Sequence, residues 1–303
     1  MNIINKLVKS RLKDRNIELI LLGGSVARGD ETPHSDIDIN LFVKNKKYPS
    51  RAFYKYKGKY IEETVLPIKS FNKKYLLEYV KVIYDKNKVI NRFSKSDEKR
   101  AREKLFLKEL KTGKQYLKLA ENAYKEKNYC KSVFYLLGTK SLAFKVIHAL
   151  PLKFNLPYPS FRLLESVKKA SYQMKDKKIY EDIVKIYKNR NKNHNQILRK
   201  YSIIYKLAGK LNGNKGFYEP LKIKYNVEGL KLTLKNYPSA YALRFIINCV
   251  VDWGLDKNLW KKDAKGRANA LKLTQEILGI KEFSKEFVEN KLNLSKDLEK
   301  RLE

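Results

Sequence analysis

Ile17-Glu-Leu-Ile-Leu-Leu-Gly-Gly-Ser-Val-Ala-Arg-Gly-Asp-Glu-Thr-Pro-His-Ser-Asp-Ile-Asp-Ile-Asn-Leu-Phe-Val43 is the stretch from which the rest of the chain can be read. Ile17 to Leu22 is a short apolar run that stops at Gly23-Gly24, the pattern of a buried strand entering a tight turn. Ser25 follows at once. Glycine at such a turn lets backbone amides approach phosphate oxygens, because no Cβ intervenes, and a hydroxyl next to it adds a donor. After a loop holding Gly29, Pro33 and Ser35, the chain resumes as Asp36-Ile37-Asp38-Ile39-Asn40-Leu41. Strict alternation is the strand period of two, so Asp36, Asp38 and Asn40 share one face and Ile37, Ile39 and Leu41 the other. Two acids side by side on one face repel each other unless a cation sits between them, and a hard divalent ion such as Mg²⁺ suits oxygen ligands. A surface hairpin with a polar edge is the plainer reading of the same residues.

A phosphate turn beside a carboxylate pair is what nucleotidyl transfer requires. The constellation resembles the DNA polymerase β-type nucleotidyltransferase superfamily, whose signature is Gly-Ser, about ten residues, then Asp-x-Asp. Here residues 26 to 35 separate Gly24-Ser25 from Asp36-x-Asp38. It is not a P-loop, because no Gly-Lys-Ser/Thr follows the glycines. The resemblance implies a reaction in which a nucleoside monophosphate passes from a nucleoside triphosphate, ATP being the expected one, to an acceptor hydroxyl. It implies two Mg²⁺ ions held by Asp36, Asp38 and a third acid on a neighbouring strand. Gly24 and Ser25 would cradle the outer phosphates, and Arg28 is placed to neutralise charge on the leaving pyrophosphate, a solvated loop arginine being its plainer reading.

The third acid is sought in Tyr60-Ile-Glu-Glu-Thr-Val-Leu-Pro67, a strand ended by proline. Alternation puts Glu62 with Tyr60 and Thr64, and Glu63 with Ile61 and Val65. Polar neighbours suit the side where metal and acceptor meet, so Glu62 is chosen. Between the two strands, residues 44 to 59 interleave Lys and Arg with Tyr48, Phe53, Tyr54 and Tyr56. Such a mixture grips phosphates and stacks unpaired bases, and a solvated connecting loop would look similar.

Around this centre the chain divides. Residues 2 to 15 space Ile3, Ile4, Leu7, Val8 and Leu12 as an amphipathic helix that braces the first strand. Residues 72 to 80 read as a helix and 80 to 85 as a further strand. From Ser96 long helical patterns take over: about 97 to 127 capped by Ser96, 128 to 150, 160 to 173 and 176 to 209, with Pro151, Pro157 and Pro159 in a linker. Gly209 to Gly216 marks a boundary, after which the pattern stays mostly helical, with Trp253 and Trp260 as core anchors. The expected fold class is an α+β nucleotidyltransferase domain, a mixed sheet with flanking helices, over 1–95. An all-α bundle over 96–212 and a mostly helical region over 213–303 follow.

This order resembles kanamycin nucleotidyltransferase and the minimal nucleotidyltransferase/HEPN groups over residues 15 to 210. HEPN ribonucleases carry an Arg, four to six residues and a His. Here Arg190-Asn-Lys-Asn-His194 has three between them, so His194 is read as a surface or RNA-contacting residue rather than a nuclease centre. His34 and His148 have no acid or Cys companions and are read as loop or structural residues.

The chain has 303 residues, 43% of them hydrophobic, enough for separate cores. Its outlying property is charge: 67 Lys+Arg against 32 Asp+Glu give a formal net charge of +35. Self-repulsion of that size points to a polyanionic partner, and a Lys-rich coding composition would produce the same sum. RNA is therefore the expected acceptor, a tRNA end being one candidate, since a small cationic acceptor would be repelled. Modification of a partner protein or small molecule, and a silent RNA-binding or antitoxin-like protein on the same fold, are the alternatives. Cys130 and Cys249 are too few for a disulfide framework. No apolar leader is visible, and the best membrane candidate, 240 to 255, carries Arg244 and Asp252 and is short of about 20 residues. A cytoplasmic protein without a membrane partner is expected.

Overall fold

The structure is a computed structural model that describes residues 3–45, 49–71, 81–92, 95–156, 160–188, 193–213, 218–256, 259–261 and 263–303. It divides into two compact units, residues 1–104 with 157–159, and residues 105–156 with 160–303.

The first unit is built on a five-stranded mixed sheet. Helix α1 (Ile3–Arg11) precedes β1 (Ile17–Gly23); a five-residue helix α2 (Gly24–Arg28) leads through the loop to β2 (Ile37–Val43); β3 (Ser50–Tyr56), β4 (Lys59–Pro67) and β5 (Lys81–Asp85) complete it. The order across the sheet is β3-β4-β2-β1-β5, with β2 and β4 parallel and the other pairs antiparallel. Strand β1 lies between β2 and β5 and is buried along its whole length, which is why Ile17–Leu22 is apolar except for Glu18. One face carries Ile20, Leu22, Ile37, Ile39, Leu41, Val43 and Ile61, covered by Leu7 and Val8 of α1. The opposite face has a smaller cluster of Leu19, Leu21, Phe42 and Leu66 with Ile68, Phe71 and Ile90. Among the described residues this cluster lies at one end of the face, and Asp38 and Glu62 lie at the other.

Residues 50 to 56, read above as basic and aromatic but not as a strand, form β3, joined to β4 through Lys57 (φ 48°) and Gly58 (φ 82°). Two successive left-handed residues make the hairpin turn whose twist matches antiparallel strands. Alternation then sorts the rings: Tyr54 and Tyr56 pack on the α1 side of the sheet, whereas Phe53 stands opposite Glu62 on the other. Tyr48 and the helix expected at 72 to 80 lie outside the described residues.

The second unit is helical: the rest of α3 (Lys95–Lys125), then α4 (Tyr129–Leu137), α5 (Leu142–Lys153), α6 (Leu163–Gln173), α7 (Lys178–Ile186), α8 (His194–Leu211), α9 (Pro220–Asn236), α10 (Ser239–Leu255), α11 (Ala264–Leu278) and α12 (Lys285–Lys300). The single helix expected at 128 to 150 is two, broken at residues 138 to 141. Ser141 caps α5 by accepting from the Phe144 amide, and Asp252 of α10 accepts from the Thr139 amide at 3.0 Å and from its hydroxyl. Pro151 lies in the last turn of α5 rather than in a linker, and the helix expected at 176 to 209 is broken after Ile186. Among the described residues, the 25-residue run Tyr129–Lys153, rather than 240 to 255, is the segment apolar and long enough by composition to cross a membrane, and most of it is buried in this unit. The boundary expected near 213 falls inside the second unit, whose core includes Trp253, stacked on Tyr205 at 4.5 Å, and Trp260, whose indole N–H donates to the Trp253 carbonyl. Arg244 is buried there too, and its desolvation brings the guanidinium down to about 10.

Candidate metal and nucleotide site

The register of three strands sets Asp38 at the centre of the polar end of the sheet. On one side it is paired with Gly23 of β1, and on the other with Glu62 of β4. Residues directly opposite in neighbouring strands point to the same face, so Glu62 and not Glu63 converges on Asp38. Carboxylate oxygens of Asp36, Asp38 and Glu62 all lie within 4.8 Å of one another, the two aspartates half-buried and Glu62 buried.

Three carboxylates at that spacing repel by roughly 3 kcal/mol per pair at an effective dielectric constant of about 20. Arg51 of β3 offsets part of this through an ion pair with Glu62, and its side chain is 51% exposed, where solvent screens the pair. Hard oxygen donors, their number and their crowding all fit a divalent cation. Arg51 then competes with the cation for Glu62. Arg51→Ala is expected to tighten Mn²⁺ binding roughly two- to fivefold, the effect of removing one partly screened ion pair, as read by paramagnetic resonance of free Mn²⁺.

Glu63 has a different task. It points to the α1 side, where Arg11 Nε donates to it at 2.8 Å and the Tyr54 hydroxyl at 3.2 Å. Burial and the Glu63 charge hold the Tyr54 phenol above its ordinary value, which keeps it a donor. Glu62→Gln is therefore expected to weaken Mn²⁺ binding at least tenfold with little change in melting temperature. Glu63→Gln should leave Mn²⁺ binding within a factor of two and cost about 1 kcal/mol of stability, measured by thermal denaturation.

The glycine turn lies against Asp38. Gly24 adopts φ +64°, and a Cβ on it would fall 1.9 Å from Asp38 Oδ2. Glycine at 24 thus makes room for the Asp38 carboxylate as well as for any ligand, a role that the sequence does not disclose. Ser25 follows in the first turn of α2. Arg28 is nearly buried and pairs with Asp30, Nε to Oδ1 at 3.1 Å.

Beside the acids, on the same face of β3 and β4, Phe53 and Tyr60 stack at 5.6 Å and 13°. The Lys55 ammonium lies 5.3 Å from the centre of the Tyr60 ring, and His34 makes an edge-type contact with that ring, centroids 6.1 Å apart. In the helical unit, His148 packs on Phe144 at 4.1 Å, and burial with Arg244 and Lys145 nearby holds it well below its ordinary value, hence neutral. His194 opens α8 and helps line a cavity of about 700 Å³ with Tyr180, Tyr187 and Lys188; Arg190 lies outside the described residues.

Residues 2–105 match the family model described as "Nucleotidyltransferase domain". Among solved structures, a nucleotidyltransferase-like protein from Exiguobacterium sibiricum 255-15 is similar over 90% of this chain and 87% of its own, at 9% identity and a TM-score of 0.35. No curated protein matches the chain.

Proposed function

We propose that this chain, whose residues 2–105 belong to the nucleotidyltransferase domain family, transfers a nucleoside monophosphate from a triphosphate, ATP by expectation, to a hydroxyl of RNA and releases pyrophosphate. The observation that carries the reading is the convergence of Asp36, Asp38 and Glu62 on the face where Gly24 and Ser25 turn. Two Mg²⁺ ions held by these acids would neutralise charge on the triphosphate and favour the ionised acceptor oxygen.

The protein's own groups have distinct parts. Asp38, central in the register, anchors the site, and Asp36 flanks it. Glu62, on the β4 side, completes the acid set or takes the proton that the acceptor hydroxyl loses. As the acceptor oxygen bonds to the α-phosphorus, the bond from that phosphorus to the oxygen bridging to the β-phosphate breaks. The amides and hydroxyl of Gly24 and Ser25 then face the departing pyrophosphate. Arg28, if it leaves Asp30, adds a positive charge there.

RNA is favoured as acceptor by the net charge of +35, which attracts a polyanion and repels small cations. Incubation with α-labelled triphosphates, Mg²⁺ and total RNA or lysate should place the label in RNA. Label in protein or in small molecules alone would overturn the acceptor assignment. RNA affinity should fall steeply between about 50 and 200 mM salt, and a flat response would remove RNA as the partner.

A further inference from the structure

We infer that the stacked pair Phe53 and Tyr60, with Lys55 and Arg51 at its margin, is a platform for an unpaired base at the acceptor end of RNA; this rests on the nucleotidyl-transfer reading above. An in-line displacement puts the attacking and leaving oxygens on opposite sides of the phosphorus. Gly24 and Ser25 follow β1, on one side of Asp38, and Glu62 lies in β4 on the other. With the outer phosphates at the glycine turn, the acceptor comes over β4 and its neighbour β3.

What lies there is built for a base and its phosphate. Tyr60 is two residues before Glu62 on the same face of β4, and Phe53 is the cross-strand partner of Glu62 itself. The two rings are nearly parallel and half-buried, so each is held in place rather than lost in solvent. Lys55, opposite Tyr60, carries its ammonium over that ring, and Arg51, opposite Thr64, reaches Glu62 from the same edge. Flat rings beside cations bind single strands whatever their sequence, because every base has a face to stack and every nucleotide a phosphate. A duplex end buries its bases against one another and offers less to such a surface. The alternation of β3 explains why only one of its three rings serves: Tyr54 and Tyr56 are committed to the α1 side.

The test compares binding of a fluorescent single-stranded RNA octamer with that of the same octamer in a blunt duplex, in EDTA and without triphosphate. Wild type is expected to prefer the single strand. Tyr60→Leu should weaken single-strand binding roughly tenfold or more and duplex binding little, and Tyr60→Phe, which keeps the ring, should restore it. Phe53→Leu should act in the same direction, so a folding defect in one variant does not decide the matter. Mn²⁺ and triphosphate binding should be the same in Tyr60→Leu and wild type. Equal single-strand binding in wild type, Tyr60→Leu and Phe53→Leu would overturn the platform, as would loss of triphosphate affinity in Tyr60→Leu, which would give the rings to the incoming nucleotide. A platform that binds single strands in a protein that labels no RNA would instead leave this inference standing and remove the proposed acceptor.

Discussion

Asp38→Asn is expected to reduce nucleotidyl transfer by about a thousandfold, or roughly 4 kcal/mol of transition-state stabilisation, without unfolding the protein. The expectation follows from where Asp38 sits. Its strand neighbours are Gly23 and Glu62, its carboxylate lies over Gly24, and its oxygens are within 4.8 Å of those of both other acids. Asparagine fills the same space, so the turn and the sheet keep their geometry. It removes the central one of three crowded negative charges, so in EDTA the variant should melt no lower than wild type, because repulsion is relieved. Loss of transfer with an unchanged or raised melting temperature separates a chemical role from a structural one. A variant that melts well below wild type in EDTA would show that Asp38 is held by something other than a bound cation.

Gly24→Ala should be nearly as damaging, for a reason that its neighbour makes visible. Alanine at 24 would hold φ near +64°, which costs about 1–2 kcal/mol for a residue with a Cβ, and would bring that Cβ onto Asp38 Oδ2. Either the carboxylate swings away from Asp36 and Glu62 or the turn opens. Both lower metal affinity and transfer together, the latter by about a hundredfold. Gly23→Ala is the control: its φ is −111°, and the nearest atom to an added Cβ is Asp38 Cβ at 3.5 Å, an ordinary contact. It should keep most of the activity. Steady-state rates for the pair, with Mn²⁺ affinities, check the argument.

How far the sequence discloses this depends on how local each determinant is. The acid face of β2 is legible because alternation is a property of consecutive residues, and the buried β1 because all of it but Glu18 is apolar. Choosing Glu62 over Glu63 also follows from alternation, yet the physical reason lies in the parallel register of β2 with β4 and in the ion pair of Glu63 with Arg11, 52 residues away. Strand β3 is obscured because Lys and Arg mask its period. Its signal was the aromatic content together with Lys57-Gly58 ahead of a clear strand. The break between α4 and α5 has a local signal in Gly138, which ends α4, and Ser141, which caps α5, although Thr139 and Lys140 between them tolerate a helix. Asp252, more than a hundred residues further on, takes the amide that a continuous helix would have used. Composition is the least local signal, which is why the charge of +35 indicates a class of partner but not a place on the molecule.

The central claim is that Asp36, Asp38 and Glu62 together hold a divalent cation at the glycine turn. Titration of Mn²⁺ into wild type, Asp38→Asn and Glu62→Gln, in the presence of a non-hydrolysable triphosphate and followed by paramagnetic resonance, tests it directly. Saturable binding is expected in wild type and at least tenfold weaker binding in both variants; equal Mn²⁺ affinity in all three proteins would contradict a cation shared by these acids.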